Sequence, residues 1–206
     1  MAISIDNNPF NPGYGAPPPV LAGRDDLKNE VSRRLVKTGK GEKNPTAIAL
    51  IGPRGCGKTA LLGWIEEKAE KKKLPVLRLT KQHLQSVDEI QNFLIGQVDT
   101  KSWLDGLTLG GELKDPIGQL ASLKGEYKWG SESTSGDKIR HLATLLAVTS
   151  AKGLALLIDE AHDMPPEVGR FFYDSAQSAA QRNPIMLVIA GTPDLESVLG
   201  RSGATV

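Results

Sequence analysis

The sequence predicts an α/β fold, a sheet layered with helices, on three observations. Short apolar runs alternate with segments of helical period along most of the 206 residues. Gly52-Pro53-Arg54-Gly55-Cys56-Gly57-Lys58-Thr59 fits G-x-x-x-x-G-K-[ST] at every fixed position and lies between one such run and one such segment. Two adjacent acids, Asp159 and Glu160, follow directly on a wholly apolar run.

Taken in order, residues 1–19 are rich in Asn, Pro and Gly and end in prolines 17 to 19, which opposes regular structure and predicts an extended arm. Residues 20–206 are expected to form one domain. Leu27, Val31 and Leu35 give Arg24 to Val36 a helical period, with Asp25 and Asp26 in the first turn where negative charge suits the dipole. The Gly39 to Pro45 stretch ends that helix, and Ala47 to Ile51 reads as a short buried strand. Leu61, Leu62, Ile65 and Ala69 make Thr59 to Lys73 a helix. Its lysines Lys68, Lys71, Lys72 and Lys73 form the densest basic cluster, read as a solvated helix end rather than a phosphate-backbone patch. Pro75 to Leu79 predicts a second strand, and Val87 to Val98 a helix with Ile90, Phe93, Leu94 and Val98 on one face. Residues 99–136 break the rhythm with many glycines and short alternating segments, and are read as an irregular or hairpin insertion. A helix from Asp137 to Val148, a strand from Leu154 to Ile158, a helix from Pro166 to Gln181 and a strand from Ile185 to Ala190 follow.

Composition is that of an ordinary globular chain, 39% apolar and 24% charged. A formal net charge of +1 offers no global attraction to nucleic acid or to a membrane. The single cysteine excludes an internal disulfide and suits a reducing compartment. No apolar run reaches 18 residues and the start of the chain lacks a signal-peptide layout, so a cytoplasmic protein without membrane contact is expected.

The eight residues from Gly52 to Thr59 have the types that a triphosphate cradle requires. Gly52, Gly55 and Gly57 let the backbone turn sharply and bring N–H groups close to phosphate oxygens, with Pro53, Arg54 and Cys56 completing the loop and Ala60 following it. The helix start adds its positive dipole end, Lys58 neutralises β- and γ-phosphate charge, and the Thr59 hydroxyl suits Mg²⁺. A Gly-rich connection is the alternative, and the full pattern in strand-loop-helix context disfavours it. Cys56 is not expected to be a nucleophile, but bound nucleotide should protect it from alkylation. Equal labelling with and without nucleotide would refute that placement.

Asp159 and Glu160, about a hundred residues on, fit a Walker B element. At a sheet's carboxyl edge Asp159 can share Mg²⁺ with Thr59 while Glu160 polarises water for attack on the γ-phosphate. The alternative is that these acids cap the next helix. His162 completes a D-E-A-H string, but a two-lobed helicase needs a second motor domain, so His162 is read as an ordinary residue at a helix start. His83, His141 and His162 match no common zinc spacing. Thr192, after the last strand, is the candidate γ-phosphate sensor, although Gly191-Thr192-Pro193 also reads as a turn.

Together these residues resemble the AAA+ ATPases, in particular the branch of origin-recognition and archaeal-type ATPases. Val20-Leu21-Ala22-Gly23-Arg24-Asp25-Asp26-Leu27 looks like that branch's G-R-x-x-x-L box, so Val20, Leu21, Gly23 and Arg24 are implied on the adenine side. The resemblance implies a three-layer P-loop NTPase core with a central parallel sheet of order 5-1-4-3-2 and Thr192 at sensor 1. It also implies a helical lid with a sensor 2 arginine, and because the sequence stops at Val206 that lid is expected to be missing and the sequence to be a piece of a longer protein. Arg201 lies near where an arginine finger of a homo-oligomer falls, with Arg170 and Arg182 as competitors.

The function expected is Mg²⁺-dependent hydrolysis of ATP to ADP and phosphate, driving conformational change or assembly of a protein or DNA partner. Lys58, Glu160 and Thr192 would act in the reaction, and Thr59 and Asp159 would hold the metal. No N-K-x-D motif selects guanine. The alternative is an ATP-dependent switch or scaffold with little turnover, associated with DNA, and a metabolic kinase is a third reading that lacks a recognisable acceptor lid.

Overall fold

The computed structural model describes residues 23–98, 153–195 and 198. Its sheet has four strands, β1 (Ile48–Ile51), β2 (Val76–Leu79), β3 (Leu154–Ile158) and β4 (Ile185–Gly191). All pairings are parallel, in the order β1-β4-β3-β2. That is the 1-4-3-2 part of the expected 5-1-4-3-2, and no fifth strand occurs among the described residues. The helices are α1 (Asp25–Gly39), α2 (Lys58–Lys71), α3 (Val87–Val98) and α4 (Pro166–Arg182). Two single 3-10 turns, Lys81–Leu84 and Ala161–Asp163, follow β2 and β3.

The strand sequences explain the layering. Side chains alternate faces along a strand, so the unbroken apolar run of β3 must be covered on both sides. Leu154, Leu156 and Ile158 enter one core with Phe172, Tyr173 and Ala176 of α4 and with Ile90 and Leu94 of α3. Ala155 and Leu157 enter the other, with Val31 and Leu35 of α1 and with Leu61, Leu62 and Ile65 of α2. Every residue of the central strands β3 and β4 is buried, whereas the flanking strands β1 and β2 alternate buried and half-buried residues. Fully burying one such leucine stabilises the fold by ~1.5–3 kcal/mol, so the two cores together fix the sheet between its helices.

Helix ends follow local backbone chemistry that the apolar period does not report. α1 runs three residues past Val36 and stops where Gly41 takes φ +79° and the Glu42 and Gly41 N–H groups donate back to the Lys37 and Thr38 carbonyls. α2 stops two residues before the expected Lys73, because Lys73 itself adopts φ +56° and Leu74 N–H returns to the Ala69 carbonyl. At the start of β3 Gly153 has φ +95°, and a Cβ built there would lie 2.6 Å from the Thr38 carbonyl oxygen. The α1 C-terminus therefore packs on the sheet only because position 153 has no side chain. The arm at 1–19, the insertion at 99–136 and the helix expected from Asp137 to Val148 lie outside the described residues.

Parallel pairing brings the carboxyl ends of the strands to one edge. Leu79 pairs with Ile158, Ile158 with Ile189, and Ile51 with Gly191. Gly52, Thr80, Asp159 and Thr192 are the next residues out, so the loops that carry the sequence motifs leave from the same edge.

Candidate functional site

The loop from Gly52 to Gly57 joins β1 to α2, as its motif requires. Gly55 and Gly57 both lie in the left-handed region, with φ of +78° and +85°, where a side chain would add strain. A Cβ on Gly52 would lie 2.8 Å from Cys56 Sγ, so the loop is closed tightly on its own thiol. Lys58 begins α2 and folds back over the loop, Nζ donating to the Gly52 carbonyl at 2.7 Å and the Pro53 carbonyl at 2.8 Å. The same ammonium stands 3.7 Å from Cys56 Sγ. Pro53, Arg54, Gly55 and Thr59 are exposed, and Cys56 and Ala60 are half-buried. An anion approaching the start of α2 would thus meet a cation, a helix N-terminus and an open glycine turn together.

Asp159 follows β3 directly and is almost fully buried, at 7% exposure. Its Oδ1 accepts from Thr59 Oγ1 at 3.4 Å and from the Glu160 N–H at 3.1 Å. The structure therefore brings together a hydroxyl and a carboxylate exactly one hundred positions apart in the chain, and both are hard oxygen donors of the kind Mg²⁺ takes. Glu160 is exposed and adopts φ +54°, ψ +37°, a left-handed conformation uncommon for a residue with a side chain. The main chain turns away at that point and begins the 3-10 turn.

Thr192 is buried at 8% exposure, just past β4, with Oγ1 donating to Asp194 Oδ2 at 3.2 Å. Its N–H donates to His162 Nδ1 at 3.4 Å. His162 Nε2 lies 3.7 Å from Asp163 Oδ1, and Lys81 Nζ donates to Asp163 Oδ2 at 2.8 Å. The Lys81 hydrogen bond, reinforced by the nearby His162, holds the Asp163 carboxyl below its ordinary range against the opposing effect of burial. The loop after β3 is thus tied to the loop after β2 through the Asp163 carboxylate and to the end of β4 through the His162 ring.

Arg24, implied on the adenine side, lies against the phosphate loop. Its Nη1 donates to the Gly57 carbonyl at 3.4 Å and its Nη2 donates to the Cys56 carbonyl, so the guanidinium grips the phosphate loop. Gly23 and Arg24 reach there through consecutive left-handed backbones, φ +72° and +59°. Val20, Leu21 and Arg201 lie outside the described residues. Arg170 and Arg182 are both exposed on α4. Among the described residues no group of three or more His, Cys, Asp or Glu side chains is arranged to hold a metal ion, and no helix there is long and apolar enough to cross a membrane.

A family model described as an AAA domain matches residues 41–199. The chain belongs to the AAA domain family. No curated protein and no solved structure matches it. An AAA domain is a P-loop nucleotide-binding unit, and the parallel sheet with helices on both faces is the core of such a fold. The match spans the phosphate loop, the β3 acids and Thr192.

Two residues of this AAA domain escape a reading by motif. One is His162, whose ring spans from Asp163 to the Thr192 main chain, and whose only signal was its place in the D-E-A-H string. The other is Arg78, a lone charge in the otherwise apolar β2. Its Nη2 donates to Asp159 Oδ2 at 2.9 Å and its Nη1 to Glu66 Oε2 of α2 at 3.1 Å.

Proposed function

We propose that this AAA domain binds ATP with Mg²⁺ and hydrolyses it to ADP and phosphate, using nucleotide state to drive conformational change or assembly of a partner. The observation that carries the reading is the 3.4 Å approach of Thr59 Oγ1 to Asp159 Oδ1, which joins the phosphate loop to the acids after β3. Lys58 would leave the Gly52 and Pro53 carbonyls for phosphate oxygens, exchanging neutral acceptors for charged ones. The loop N–H groups and the start of α2 would receive the remaining phosphate charge, with Arg24 supporting the loop from behind through its carbonyls. Thr59 and Asp159 would hold Mg²⁺, and that ion when bound supplies charge to the phosphate oxygens. Glu160, exposed at the same edge, would orient and polarise the attacking water, and Thr192 would contact the γ-phosphate. ATP is preferred to GTP on the family and on the lack of an N-K-x-D motif. The coupling to a partner, whether protein, DNA or a second copy, rests on the family.

The test is phosphate release from ATP and from GTP, with Mg²⁺ and with excess chelator, at rising protein concentration and with added DNA. Turnover is expected with ATP, to fall at least ten-fold on chelation, and to rise with concentration or DNA. Undiminished turnover in chelator would refute the roles given to Thr59 and Asp159.

A further inference from the structure

Asp159 has an ionic partner that the phosphate loop does not provide. Parallel register sets Arg78 of β2 beside Leu157 of β3, so its guanidinium reaches along the sheet edge to the end of the neighbouring strand. There it occupies Asp159 Oδ2 at 2.9 Å while Thr59 and the Glu160 N–H occupy Oδ1. The carboxylate is 10% exposed and the arginine 25%, so the pair is poorly screened. The other arm of the guanidinium holds Glu66 at 3.1 Å, and Glu66 is 33% exposed on α2. Among the buried side-chain nitrogens and oxygens of the described residues, Arg78 Nε is the one with no hydrogen-bond partner.

We propose that Arg78 is a positioning residue that neutralises Asp159 until metal is bound and thereby sets the Mg²⁺ concentration at which the nucleotide site loads. This rests on the reading that Asp159 is a metal ligand. A buried carboxylate without a cation is costly, and the guanidinium supplies one from within the chain. A cation 2.9 Å from the carboxylate also opposes a second cation at the same oxygens. Glu66 makes the exchange cheap, because Arg78 released from Asp159 keeps a carboxylate partner. A side-on grip on Glu66 would also satisfy the Nε that the present arrangement leaves unmatched.

Removing Arg78 and removing its partner Glu66 should shift the Mg²⁺ response in opposite directions. Binding of a fluorescent ATP analogue is titrated with Mg²⁺ for the unaltered chain and for Arg78→Gln, Arg78→Lys, Glu66→Gln and Asp159→Asn. Arg78→Gln should lower the Mg²⁺ midpoint by roughly ten-fold, and Arg78→Lys should move it back towards the original value. Glu66→Gln, which leaves Arg78 with Asp159 alone, should raise it several-fold. Midpoints do not depend on the fraction of protein that folds, and Glu66 is exposed enough for its variant to fold. In metal-free buffer Arg78→Gln should also lower the melting temperature, with Mg²⁺ and ADP restoring more of it than in the original chain. Midpoints unchanged by Arg78→Gln, or moved in the same direction by Arg78→Gln and Glu66→Gln, would overturn the proposal while Asp159→Asn still loses its Mg²⁺ response. An Mg²⁺ response retained by Asp159→Asn would instead overturn the metal-ligand reading and this proposal with it.

Discussion

Lys58→Ala is expected to lower nucleotide affinity at least a hundred-fold, measured by titration with a fluorescent ATP analogue. Each charge-assisted hydrogen bond to phosphate contributes about 1.5–3 kcal/mol, and Lys58 can make two, since it already makes two to the Gly52 and Pro53 carbonyls. The substitution also removes the donor to those carbonyls, a contact that nucleotide would break in any case, so this loss bears on folding and not on affinity. The cost to folding should stay near 1 kcal/mol, because the loop is largely exposed and water replaces the lost donor. Affinity within three-fold of the original chain would remove Lys58 from the site.

Glu160→Gln should separate binding from chemistry in the opposite way. Turnover is expected to fall by about 10²–10⁴, the usual contribution of a positioned general base, while affinity for ATP changes less than three-fold. The substitution keeps the shape of the side chain and removes only its basicity. Its link to Asp159 runs through the main-chain N–H at 3.1 Å, which glutamine preserves. The side chain is exposed, so the melting temperature should not move by more than a degree or two. Hydrolysis at the original rate would exclude Glu160 from activating water and leave the β3 acids with a role in metal or structure alone. A fall in affinity that matches the fall in turnover would place Glu160 in ground-state binding instead.

Much of the scaffold was legible in the sequence, because its strands are short apolar runs bounded by glycine, proline and acids. The four expected strands differ from the observed ones by one residue at most at either end, and α3 runs over Val87–Val98 as its period implied. The 3-10 turns were not legible, because three or four residues carry no period. The Thr59–Asp159 approach was foreseeable from motif chemistry. The Arg78–Asp159 pair was not, since it depends on β2 lying beside β3 in one register, and nothing in Val76-Leu77-Arg78-Leu79 names its neighbour. His162 is a similar case: its ring is useful only because β4 brings Thr192 alongside, thirty positions away. The contact of Arg24 with the phosphate loop was not legible either, since it depends on two consecutive left-handed residues that no motif names.

The backbone of Glu160 carries one more consequence. At φ +54° a residue with a Cβ is disfavoured by about 1 kcal/mol against glycine. Folding alone would therefore prefer glycine at this turn just past β3, while the proposed chemistry needs a carboxylate there. Stability and turnover are opposed at this position, so variants of this chain selected only for heat resistance should drift towards a domain that still grips nucleotide and no longer spends it.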